Sequence, residues 1–157
     1  MALSVRGIYI LKKSFLTTVR KFIVFTLIVS VVVGVSYLIV FKVSFLPNGY
    51  DIVEEQKDII SLKSFNVAGI EKKTTTITFS EKNTWKIDEI KSQVNRQKNY
   101  LWLLYAFVSV SLILFFYKVR KGNKLWKAIL DSNIIFAVLL PLIPLINTLN
   151  WIQKLIS

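Results

Sequence analysis

The chain contains no cysteine and no histidine. Disulfide frameworks, thiolate nucleophiles, thiolate-bound metals and imidazole acid–base chemistry are therefore excluded. It also carries no Gly-x-Ser-x-Gly elbow, no P-loop and no dinucleotide fingerprint, which are the common local signatures of hydrolases and nucleotide-binding enzymes. The acidic cluster Asp51, Glu54, Glu55 and Asp58 lacks the spacing and the glycine of a calcium loop. It reads as a solvated face balanced by Lys57 and Lys63. The expectation is a non-enzymatic protein with no catalytic residues, no cofactor and no metal. No Asn-x-Ser/Thr acceptor occurs either, so nothing points to a glycosylated domain.

What the chain has in abundance is apolar sequence. Hydrophobic residues make up 54% of its 157 positions, mean hydropathy is +0.53, and the apolar residues come in blocks. A soluble domain of this size would expose those blocks as aggregation-prone patches, whereas a bilayer solvates them. Residues 22–41 carry no charge and as a helix extend about 30 Å, the thickness of the hydrocarbon core. Residues 100–117 form a second block, with Tyr100, Trp102 and Tyr105 at one end and Tyr117 at the other as interfacial anchors. A third block over residues 129–152 contains Pro141 and Pro144, which predict a kink. Asp131 or Ser132 is placed to cap its start, Trp126 and Trp151 to anchor its ends, and a re-entrant segment is the competing reading.

The net charge of +12 is distributed unevenly. The tail, residues 1–21, carries Arg6, Lys12, Lys13, Arg20 and Lys21 without an acid. The loop over residues 118–128 carries Lys118, Arg120, Lys121, Lys124 and Lys127, again without one. Residues 42–100 hold ten basic and eight acidic side chains, close to balance. Positive charge marks the cytoplasmic side. Tail and loop are therefore expected inside, residues 42–99 outside, and the C-terminal residues 153–157 outside as well. Basic residues beside apolar blocks suit anionic lipid headgroups, or a cytoplasmic protein partner, better than direct contact with nucleic acid. Lysine outnumbers arginine by 17 to 4, a bias that suits an AT-rich bacterial gene, so the expected location is a bacterial cytoplasmic (inner) membrane.

Three stretches invite a functional reading. In the tail, Ile8, Leu11, Phe15 and Val19 recur at helical spacing, the pattern of an amphipathic interfacial helix. In the first block, Thr26, Ser30 and Gly34 are spaced by four and stack on one helix face, a stripe that permits close helix packing and predicts self-association. Between the first two blocks, residues 58–69 and 73–80 are rich in β-formers. Thr75, Ile77 and Phe79 alternate with Thr74, Thr76 and Thr78, which predicts a β-hairpin turning over residues 69–72. From about residue 85, Asp88 and Glu89 open a helix whose stripe Ile87, Ile90, Val94 and Leu101 runs without a break into the second block.

The fold class expected is a membrane all-α protein: three transmembrane helices, a small extracytoplasmic hairpin with a juxtamembrane helix, and a homo-oligomeric bundle. The function expected is that of a sensor or accessory subunit that recognises a partner or signal through residues 45–100, with bacterial antiviral defence or toxin immunity as the setting. The alternative is a small ion channel or membrane-disrupting effector built around the first helix, since some mechanosensitive channels share this layout, though not any motif.

Overall fold

The computed structural model describes residues 2–56 and 58–157, with side chains from Phe15 onward except Glu81. In chain order the elements are α1 (Ala2–Phe41), β1 (Tyr50–Glu55), β2 (Ile59–Phe65), β3 (Glu71–Thr78), a single turn of 3-10 helix, α2 (Trp85–Arg120), α3 (Leu125–Asp131) and α4 (Ile134–Ile156). Three helices are long and apolar enough to cross a membrane: Phe15–Phe41 of α1, α2 and α4. Most of their surface is exposed in the isolated chain, with bulky side chains such as Phe22, Leu27, Phe116 and Phe136 turned outward. Such a surface suggests a membrane protein, because lipid is the solvent that tolerates it.

The segment between α1 and α2 is a three-stranded antiparallel meander in the order β1-β2-β3. The expected hairpin is present as β2 and β3, and β1 precedes it over the residues read as a solvated acidic cluster. The turn also differs. It is built over residues 66–70, where Asn66 Oδ1 accepts the N–H groups of Ala68 and Ile70, each at 2.9 Å. Gly69 follows in the left-handed region (φ 72°). Gly69 also lies so close to the Phe45 ring that a Cβ there would stand 2.5 Å from it.

A meander this small is marginal alone. Here Ile60 and Leu62 of β2 face Ile87, Ile90 and Val94 of α2 and Ile152 and Leu155 of α4 in one buried cluster, with Ile77 and Phe79 packed on its edge. Fully burying each of these aliphatic side chains is worth about 1.5–3 kcal/mol. The alternation along β3 is the expected one, since Thr75, Ile77 and Phe79 are half-buried while Thr74, Thr76 and Thr78 are exposed. The stripe expected on α2 is likewise the buried one.

A second cluster lies one level along the helices, where Val40, Leu46, Leu101 and Leu145 meet. The α1 C-terminus, the α2 N-terminal half and the α4 C-terminus thus gather at the sheet end of the molecule. α2 is the hub. α4 packs along much of it and α1 leans on a shorter stretch, while among the described residues α1 and α4 barely meet. The tail expected to form an interfacial helix is continuous with the first apolar block inside α1. The side chains of its expected stripe before Phe15 lie outside the described residues.

The third block also differs in detail. Asp131 closes α3 and binds Lys118 at 3.2 Å instead of capping α4. Ser132 Oγ donates to the Ile129 carbonyl, and Asn133, with φ 54°, stands at the α4 N-cap position. Trp126 belongs to the separate short α3, and Trp151 Nε1 donates to Glu89 of α2 at 3.1 Å. α4 itself runs as one helix through Pro141 and Pro144, from the Lys118 level to the sheet, and does not turn back.

Candidate functional site

Two regions collect the polar and charged side chains: the seam between the sheet and α2, and the basic end opposite. At the seam, Gln97 is completely buried. Its Oε1 accepts the Tyr50 N–H at 2.9 Å and its Nε2 donates to the Tyr50 carbonyl at 3.1 Å. The side chain therefore mimics a neighbouring strand and holds the start of β1 against the helix. Gly49 makes room for it, since a Cβ there would stand 2.5 Å from Gln97 Nε2. One turn of geometry sets up the approach: Pro47 and Asn48 (φ 54°) occupy the middle of a tight turn closed by Gly49 N–H on the Leu46 carbonyl.

Two of the four acids expected to face solvent, Asp51 and Glu55, are partners of α2. Lys98 binds Asp51 at 2.6 Å, with both side chains mostly buried, and Lys91 binds Glu55 at 2.9 Å. Seven residues on a helix and four on a strand span comparable lengths, about 10 and 13 Å, so the two pairs form in register. Glu54 accepts from Gln56. The expected pairing of Lys57 lies outside the described residues, and Lys63 binds Glu71 at 3.0 Å. That contact holds the Glu71 carboxyl below its ordinary value of 4.5, against a smaller opposing effect of desolvation, with help from the Thr74 hydroxyl. Neither the Gln97 clamp nor the β1–α2 ion pairs were expected from sequence. The only signal for the ion pairs was the spacing of Lys91 and Lys98, two turns apart on one helix face.

The outward face of the sheet presents Thr74, Thr76 and Thr78 with the half-buried Lys63 beside them, and the buried Ser61 shares a hydrogen bond with Thr76 at 2.9 Å. Among the described residues, no group of three or more acidic side chains is placed to hold a metal ion.

At the opposite end, Lys121 sits 4.5 Å from the centre of the Tyr117 ring. Lys118 is tied to Asp131. The structure thus brings Lys118 and Lys121 to one level. Arg20, Arg120, Lys124 and Lys127 are exposed along the same segments, and the side chains of Lys12 and Lys13 lie outside the described residues.

The remaining candidates are scattered over the helices. Thr26, Ser30 and Gly34 are all exposed, and nothing lies within 4 Å of a Cβ built on Gly34. Among the described residues, the stripe takes no part in packing within the chain. Pro141 is buried and Pro144 half-buried. Each removes one donor from the helical ladder, which withdraws the usual partner of the Ala137 and Leu140 carbonyls. Trp102, expected as an interfacial anchor, donates its Nε1 hydrogen to the Val33 carbonyl at 3.1 Å and so joins α2 to α1.

No family model, curated protein or solved structure matches this chain.

Proposed function

We propose that the chain is an integral membrane protein of the bacterial cytoplasmic membrane that recognises a partner through its sheet and relays that contact across the bilayer through α2. The observation that carries this reading is the continuity of α2. One helix of 36 residues begins in the sheet core at Ile87 and Ile90 and ends in the basic segment at Lys118 and Arg120. A displacement of the sheet has to move α2, because the Gln97 clamp, two ion pairs and the apolar cluster bind them together. The charge distribution supports an orientation with the basic end in the cytoplasm and the sheet outside. The exposed Thr26, Ser30 and Gly34 face supports self-association through α1, and it is also the feature that favours the second reading, a small pore assembled from several copies of α1.

A photo-crosslinking residue at Thr76, tested in living cells, checks the recognition reading. An adduct from Thr76 and Thr78, absent from a control at Lys124, is the expected result. An adduct from Lys124 with none from the sheet overturns it. Ion current from the purified protein in planar bilayers would instead favour the pore.

A further inference from the structure

Because α1 and α4 both lean on α2 without closing on each other, an apolar cleft of about 360 Å³ opens between the three helices in the half of the molecule away from the sheet. Its floor is α2, with Ala106, Val110 and Ser111. Val29 and Val33 form the α1 wall, and Ala137 and Leu140 belong to the α4 wall. Ala106 and Ser111 take up little of the floor, and the exposed Phe107, Phe136 and Leu140 stand at its edge. At the basic end the lining finishes at Asn133, two residues after Asp131, whose carboxylate holds Lys118. Lys118 lies two turns beyond Ser111 on the same face of α2. Lys121 sits over the Tyr117 ring at that level, and Lys21 lies about two turns before Val29 on α1. Asp131 is the single acid in residues 118–157 and residues 1–21 holds none, so the rim stays strongly positive.

We infer that this cleft takes an acyl chain of an anionic phospholipid, with the lipid phosphate held at the rim by Lys21, Lys118 and Lys121. The apolar walls match the chain and the lysines match the phosphate, a juxtaposition characteristic of headgroup sites between membrane helices. A second copy of the protein is the poorer occupant. Copies inserted in the same orientation bring their basic rims to the same level, so like charges would face each other across the contact, whereas a phosphate neutralises them. The inference rests on the membrane reading above, but the two fail separately. Release of the protein from membranes by alkaline extraction would contradict the membrane reading, while lipid preference tests the cleft.

The test is native mass spectrometry of the full chain in detergent, titrated with phosphatidylglycerol and, separately, with phosphatidylcholine of the same acyl chains. One tightly retained phosphatidylglycerol per chain is expected, with phosphatidylcholine bound more weakly. Each rim lysine removed in Lys21→Gln and Lys121→Gln should lower phosphatidylglycerol affinity about five-fold and leave phosphatidylcholine unchanged. Leu140→Trp, at an exposed edge position, should occlude the cleft and weaken both lipids, with thermal unfolding confirming that the variant is folded. Equal affinity for the two lipids, an unchanged preference in the lysine variants, or a dimer that excludes lipid from the cleft would overturn the inference.

Discussion

Replacing Gln97 with Leu keeps the side-chain volume close to native and deletes both hydrogen bonds to Tyr50. The Tyr50 N–H and carbonyl are then left facing an apolar side chain at a site where Gln97 itself is completely buried. Each unsatisfied group costs about 1–3 kcal/mol, and because Tyr50 is only half-buried the lower part of that range applies, giving about 2–4 kcal/mol for the two. The neighbouring Lys98–Asp51 pair and the apolar cluster are untouched, so the loss should appear as local opening of β1 instead of global unfolding. Hydrogen exchange of the Tyr50 amide in detergent or nanodiscs reads this directly. Its exchange should accelerate by about thirty-fold to a thousand-fold, while amides of Ile90 and Val94 keep their protection. Gly49→Ala, whose Cβ would displace the same amide, should act in the same direction. An unchanged Tyr50 rate in Gln97→Leu would refute the clamp.

Three further outcomes are expected elsewhere in the molecule. Gly69→Ala should cost more than about 1 kcal/mol in thermal unfolding, because it combines a left-handed φ with a Cβ directed into the Phe45 ring; a neutral result would contradict the turn geometry. Glu71 titrates below its ordinary 4.5, chiefly through the hydrogen bond from Lys63. Its contribution is therefore complete above the unfolded pKa and is lost as pH falls through the lowered folded value. An NMR titration should show the carboxyl moving back toward 4.5 in Lys63→Met. Gly34→Leu should leave the stability of the single chain unchanged, since none of the described residues lies within 4 Å of a Cβ there, and should reduce the detergent-solubilised mass if the exposed stripe joins copies; an unchanged mass removes that role.

The helices were legible because their signals are local and repeated. The start of α2 near residue 85, its passage into the second apolar block and its buried stripe all follow from spacing within a single segment. The same holds for β3, where alternation separates Thr74, Thr76 and Thr78 from Thr75 and Ile77. What escaped was long-range. β1 contains Tyr50, Ile52 and Val53, which are good strand formers, but its acids suggested a solvated loop because their partners Lys98 and Lys91 lie about 40 residues away. Gln97 carries no local signature at all. A lone glutamine in a helix is ordinary, and its role exists only once Tyr50 is brought beside it. α3 was hidden for a related reason, since Gly122 and five basic residues made its segment read as a plain loop. The exposure of Thr26, Ser30 and Gly34 was equally beyond the sequence. Spacing put them on one face, and only the packing of α1 on α2 decided which face that was.

A relay through α2 requires the sheet and the basic segment to lie on opposite sides of a bilayer. The absence of native cysteine makes this testable with single introduced thiols and a membrane-impermeant maleimide. Thr76→Cys, exposed on the sheet, should be labelled in intact cells (spheroplasts, where an outer barrier exists), and Lys124→Cys should be labelled only after the membrane is broken. Labelling of both positions from the same side, or of Lys124→Cys alone in intact cells, would contradict the account.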